Sequence, residues 1–275
     1  MNLPEEYANS DSRYYIIPIS YEGNLTSVHG AKDGAKEIIN ASQQLEYFDE
    51  RTKTEPFEKG IYLLPEINPG KVDEKKAFHH IRDNLPDLTG KFPIFLGGDH
   101  SITYAITQGI GSEDFSVVMF DAHADFRHSW NNSSYNHACV SKNISKNHDL
   151  CLFGVRSMDI EEHKEIIQKK IDITFKPTAE VVLKSMSRLK NNVYISIDVD
   201  CLDPSIIRNT GTPEPSGMDY EQLYEALKAI FSTKNVIGVD ICEFSPQENK
   251  NDARVESYIL AKLVYHILGL KNQKP

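Results

Sequence analysis

Nowhere do about 18 apolar residues run without interruption, the minimum for a helix that crosses a bilayer, so no membrane span is expected. The chain also lacks any Lys/Arg block. Its 30 basic residues are scattered one or two at a time against 40 acidic ones. The resulting net charge of −10 argues against a nucleic-acid surface and suits a small cationic ligand. Four cysteines (Cys139, Cys151, Cys201, Cys242) are dispersed, with no Cys-x-x-Cys pair, and read as reduced thiols of a cytoplasmic protein. Residues 1–11 are acidic and polar, unlike a secretory signal. Gly109-Ile110-Gly111 lacks the third glycine and the preceding strand of a dinucleotide fingerprint. No Pro/Gly/Ser-rich linker, repeat or low-complexity tract divides the 275 residues, so one domain over 1–275 is expected.

What is present is alternation. Short apolar runs at 14–19, 60–64, 92–96, 116–120, 150–155, 173–176, 193–197 and 236–241 read as strands. Helical spacing falls at 31–44, 71–85, 101–108, 160–170, 178–190, 220–231 and 253–268, with a further helix starting near 138. Buried strands alternating with amphipathic helices predict an α/β fold: a three-layer α/β/α domain with a mainly parallel central sheet. Ligands of such folds bind at the carboxyl ends of strands. There stand His100, Asp121, His123, Asp125, Asp198, Asp200 and Glu243.

Phe120-Asp121-Ala122-His123-Ala124-Asp125 is the densest of these sites. A side-chain period of two would put Asp121, His123 and Asp125 on one side if the chain stayed extended. Converging carboxylates and imidazoles are costly without a cation between them. Two histidines and four aspartates carry too much charge for one ion. Their mixed nitrogen and oxygen donors suit a pair of Mn²⁺ ions, with Fe, Co or Ni also admitted. Two ions roughly 3.5–4 Å apart can share a hydroxide near neutral pH. The site then stays net negative and attracts a cation, and a planar guanidinium pairs well with a carboxylate such as Glu243.

Gly97-Gly98-Asp99-His100-Ser101, Asp121-Ala122-His123-Ala124-Asp125 and the segment from Ser196 to Pro204 (SIDVDCLDP) resemble the three signature motifs of the ureohydrolases, the arginases and agmatinases. Gly211-Thr212-Pro213-Glu214-Pro215 and the segment from Asp240 to Pro246 (DICEFSP) extend the resemblance to nearly the whole chain. It implies an arginase-like fold and two Mn²⁺ per subunit. One ion would be held by His100, Asp121, Asp125 and Asp198, the other by His123, Asp121, Asp198 and Asp200. It further implies that a bridging hydroxide held by Asp125 attacks the guanidinium carbon. Glu243 would anchor the guanidinium nitrogens and His137 would shuttle a proton to the departing amine. A trimer or hexamer of the chain is implied in the same way.

The segment 125–137 bears on the substrate. Asp125-Phe126-Arg127 and Asn136-His137-Ala138-Cys139-Val140 resemble the agmatinase type, and so does the spacing between them. Trp130-Asn131-Asn132 departs from the Tyr-Glu-Gly common there. Agmatine, cleaved to putrescine and urea, is therefore the expected substrate. Arginine, guanidinobutyrate, aminopropylagmatine, guanidine and formiminoglutamate are the alternatives. Outside this chemistry stand a single-zinc deacetylase-like enzyme and a non-catalytic family member; the full set of six metal-ligand residues argues against both.

Overall fold

The computed structural model describes residues 3–23, 29–111, 114–246 and 250–273, so only 20–23 and 29–30 of the loop at 20–30 are included. Eight strands form one sheet: β1 (Tyr14–Pro18), β2 (Ile61–Leu63), β3 (Phe92–Leu96), β4 (Ser116–Phe120), β5 (Leu150–Phe153), β6 (Asp172–Thr174), β7 (Asn192–Asp198) and β8 (Asn235–Cys242). Their order is β2-β1-β3-β8-β7-β4-β5-β6, and every neighbouring pair is parallel. β1, β3, β4 and β5 are buried along their whole length, which explains their unbroken apolar runs.

The helices are α1 (Gly34–Ser42), α2 (Glu74–Asp83), α3 (Ile102–Gly109), α4 (Val140–Ile144), α5 (Ile160–Gln168), α6 (Ala179–Met186), α7 (Tyr220–Thr233) and α8 (Lys250–Asn272). They cover both sheet faces. Buried residues of α1, α6, α7 and α8 pack with Ile94, Val118, Ile195 and Val239, whereas those of α2, α3, α4 and α5 pack with Phe95, Val117, Met119 and Tyr194. Local chemistry sets several helix starts. Asp159 with Glu162 and Asp219 with Gln222 form reciprocal capping boxes, and Asp73 and Thr178 cap α2 and α6. The predicted helix at 71–85 is shorter at both ends, running from Glu74 to Asp83; it starts late because the Asp73 side chain takes the amide of Lys76 and so fixes the first turn.

The chain runs outward from β1 to the β2 edge, returns to β3, crosses to β4, and leaves by β5 and β6 to the other edge. It then re-enters with β7 and β8 between β4 and β3. Four central strands, β3, β8, β7 and β4, therefore end side by side, where an open parallel sheet binds its ligand. Among the described residues no helix is long and apolar enough to cross a membrane. The four cysteines are buried and unpaired.

Candidate metal centre and substrate cavity

After β3 the chain must turn sharply to start α3. Gly98 makes this approach feasible: a Cβ there would lie 1.9 Å from the Tyr21 carbonyl oxygen. The turn buries His100 completely. Beyond β4 the expected extended run does not persist. The strand ends at Phe120: the Asp121 amide still donates to Phe153 O (2.9 Å), but the two amides after it turn to carboxylates, Ala122 N to Asp200 Oδ1 (2.9 Å) and His123 N to Asp121 Oδ1 (2.6 Å). Asp125 then adopts a left-handed backbone, φ 49°. Non-glycine residues rarely take it, and such strain concentrates at functional positions. From β7, Asp198 ends the strand and holds the amide of Asp200 at 2.9 Å, aiming both carboxylates from one short turn.

These turns gather all six candidate ligands. His100 Nδ1 lies 3.1 Å from Asp121 Oδ2, 3.4 Å from Asp125 Oδ2 and 3.3 Å from Asp198 Oδ2. His123 Nδ1 lies 2.9 Å from Asp200 Oδ2 and 3.7 Å from Asp121 Oδ1. Two compact donor groups result, His100/Asp121/Asp125 and Asp121/His123/Asp200, with Asp121 common to both. The donor set fits metal on a direct observation. Buried His100 Nδ1 and Asp121 Oδ2 find no hydrogen-bond partner of adequate geometry, although a buried polar atom ordinarily has one. The other ring nitrogen explains the orientation: Ser196 Oγ donates to Asp240 Oδ1 (2.7 Å) and so accepts from His100 Nε2 (2.9 Å). This assignment leaves a lone pair on Nδ1 for a cation.

Crowding shows in the protonation. Burial and the charge of Asp121 push the Asp125 carboxyl up to about 6. Burial and the charges of Asp200 and Asp121 raise Asp198 well above the carboxylate range. Burial opposes charge on His100, but Asp121, Asp125 and Asp198 outweigh it and raise the imidazole well above its ordinary value. Each shift has its cause in carboxylates and imidazoles packed together out of water, a cost that divalent cations would offset.

Glu243 leaves β8 with φ 64°, a second left-handed residue at the site. Its amide donates to Gly98 O (2.8 Å), and its Oε1 accepts from the amide of His100 (2.6 Å). Burial and the nearby charge of Asp99 push its carboxyl up to about 8. His137 opens a short 3₁₀ turn (His137–Cys139) capped by Asn136, and its Nδ1 lies 3.3 Å from Asp99 Oδ2. A cavity of about 290 Å³ connects these groups; His100, His123, Asp125, His137, Asp198, Asp200 and Glu243 all line it.

The segment after Asp125 is built as a tight turn. Trp130 and Ser133 exchange backbone hydrogen bonds of 2.8 and 2.9 Å across Asn131 and Asn132, both left-handed (φ 47° and 63°). Asparagine tolerates that conformation, which suits a two-residue hairpin turn. Trp130 is thereby presented to the cavity wall, its ring 4.5 Å from the Arg127 guanidinium, which Asp159 in turn holds at 2.9 Å.

Comparison with known proteins bears on the family of the chain. The family model described as "Arginase family" matches residues 12–269. An N(1)-aminopropylagmatine ureohydrolase of Thermus thermophilus is 32% identical over 278 residues, covering 95% of this chain and 91% of that protein. The agmatinase of Pyrococcus horikoshii is 33% identical over 272 residues, covering 94% and 92%. The crystal structure of the agmatine ureohydrolase of Thermoplasma volcanium superposes with a TM-score of 0.85 at 25% identity, covering 98% and 93%. The chain belongs to the arginase family.

As a member of that family it is an amidinohydrolase-type enzyme, which favours the ureohydrolase motifs over the single-zinc deacetylase alternative. Several further residues shape the candidate site without carrying a motif signal of their own. Arg156 donates to the carbonyls of Gly154, Asp200, Cys201, Leu202, Glu214 and Pro215 and so ties the turn carrying Asp200 to the 210–215 wall. Ser196 and Asp240, from the ends of β7 and β8, orient His100. Glu162 accepts from Phe126 N (2.8 Å) and so anchors the chain just past Asp125. A lone arginine among apolar residues after β5 was the only local signal for Arg156.

Proposed function

We propose that this protein is a binuclear-manganese amidinohydrolase that cleaves agmatine to putrescine and urea. The observation that carries the reading is the pair of donor groups sharing Asp121, with buried His100 Nδ1 and Asp121 Oδ2 left without hydrogen-bond partners. His100, Asp121, Asp125 and Asp198 would hold one ion, and His123, Asp121, Asp198 and Asp200 the other. When bound, such a pair supplies positive charge and an activated water near neutral pH.

This chain's own groups supply the rest. Glu243, fixed by the amide of His100, offers its carboxylate to the guanidinium N–H groups and turns the carbon toward the ligand cluster. The arriving cation would offset the desolvation that raises the Glu243 carboxyl. Asp125 accepts a hydrogen bond from the attacking water. His137, raised to about 10 because Asp99, Glu243 and Asp125 outweigh its burial, carries the proton that the departing amine requires. Water adds to the guanidinium carbon, the carbon–nitrogen bond to the alkyl chain breaks, and urea and an alkylamine leave.

Aminopropylagmatine is the second reading, because the Thermus protein named for it and the Pyrococcus agmatinase are equally similar to this chain, at 32% and 33% identity. Urea release after Mn²⁺ loading, measured on agmatine, aminopropylagmatine, arginine, guanidinobutyrate, guanidine and formiminoglutamate, separates the readings. Agmatine should be turned over fastest at a metal-to-protein ratio of two; no urea from agmatine removes that substrate. A trimer or hexamer in the cytoplasm completes the proposal, supported by family resemblance.

A further inference from the structure

We propose that Asp99 is the positioning residue for His137: it holds the imidazole through Nδ1 so that proton transfer runs through Nε2. The inference rests on the amidinohydrolase reading above and deepens it. Asp99 is 1% exposed, and a carboxylate so buried needs partners for both oxygens. Oδ1 accepts from the amide of Ser101 at 2.9 Å. Oδ2 lies 3.3 Å from His137 Nδ1, across 38 residues of sequence. The chain crosses closely over that oxygen at Gly23, where a Cβ would stand 3.2 Å from it. The carboxylate is thus set by a contact on each oxygen, and its own amide donates to the Tyr21 carbonyl at 3.0 Å.

The third donor group of the site is Asp99, His137 and Glu243, whose ligand atoms lie within 4.8 Å of one another. The imidazole thus stands between a carboxylate from the end of β3 and one from the end of β8. Glu243 is committed to the His100 amide and, under the proposed function, to the guanidinium. Asp99 has no such task, and its Oδ2 is directed at the ring. An aspartate that fixes one ring nitrogen selects the tautomer and plane in which the other exchanges protons, a recurring arrangement for catalytic histidines.

Asp99→Asn keeps the shape and removes the charge. In the Mn²⁺-loaded enzyme it should lower kcat by about 10- to 100-fold, with KM within about two-fold and two ions per chain retained. Added to His137→Ala, it should slow turnover by no more than about two-fold further, because the two side chains act as one unit. An unchanged kcat in the single variant, or multiplied losses in the double variant, overturns the proposal. A crystal structure of full-length Asp99→Ala gives a readout independent of turnover. The His137 ring should rotate or split into two conformers, and an unmoved ring overturns the inference even if no substrate is found. Wild-type enzyme inactive on every guanidino compound would instead remove the functional reading.

Discussion

Glu243 and His100 are 143 residues apart in sequence, yet the Glu243 carboxylate accepts the His100 amide at 2.6 Å. That hydrogen bond joins the proposed substrate anchor to a proposed metal ligand, so the guanidinium and the ions would share one rigid frame. The frame exists because β3 and β8 are neighbours in the sheet, with Leu96 opposite Ile241.

Glu243→Gln tests the anchor. The amide can still accept from His100 N but cannot pair with a cation as a charge. Losing one charge-assisted contact of about 1.5–3 kcal/mol should lower kcat/KM by roughly 10- to 150-fold, mostly through KM. Unaltered KM for every guanidino compound would move the anchor elsewhere.

Asp121→Ala tests the sharing. Because both donor groups include Asp121, the variant should lose both ions, and its turnover should fall by roughly 10³-fold or more. Elemental analysis of the purified variant is the check; two retained ions would contradict the shared role.

Stability against pH tests the His137 environment. The folded chain holds the His137 proton up to about 10, against an ordinary 6.5, so the folded form binds more protons between these values. The stabilisation is complete below about 6.5 and is lost as pH rises through about 10. The thermal midpoint of the metal-free wild type should fall relative to that of metal-free His137→Ala as pH is raised across this window. A constant difference would mean the imidazole is not held by its carboxylates.

Gly98→Ala tests the turn that delivers His100. The new Cβ would sit 1.9 Å from a backbone oxygen that has no flexible end to yield. Overpacking of this kind costs about 3 kcal/mol or more, and the thermal midpoint should drop by roughly 6 °C or more. A midpoint within a degree of wild type would show that the loop at Tyr21 moves freely.

Trp130→Ala tests the outer wall. Removing the indole, held by the turn at Asn131-Asn132 and stacked near Arg127, lengthens the cavity. The preference for aminopropylagmatine over agmatine, as a ratio of kcat/KM values, should rise by roughly ten-fold. An unchanged ratio would place the far end of the substrate on another wall.

The amino-acid sequence by itself determined the eight strands, the parallel α/β architecture and the candidate ligands. Those signals are local: apolar runs, helical spacing, and ionisable residues directly after strands such as β4 and β7. Even the capping boxes at Asp159 and Asp219 are written within four residues. Tertiary structure decided which ends meet. Asp99 finds His137, Arg156 finds the carbonyls of Asp200 and Glu214, and Ser196 links His100 to Asp240 only because β8 and β7 are inserted between β3 and β4. It also decided that Asp125 and Glu243 take left-handed backbones, uncommon for aspartate and rarer for glutamate. The physical reason is range. Side-chain periodicity fixes the direction of a residue along its own strand, whereas a contact of about 3 Å across a sheet depends on strand order and on where each loop amide finds its acceptor.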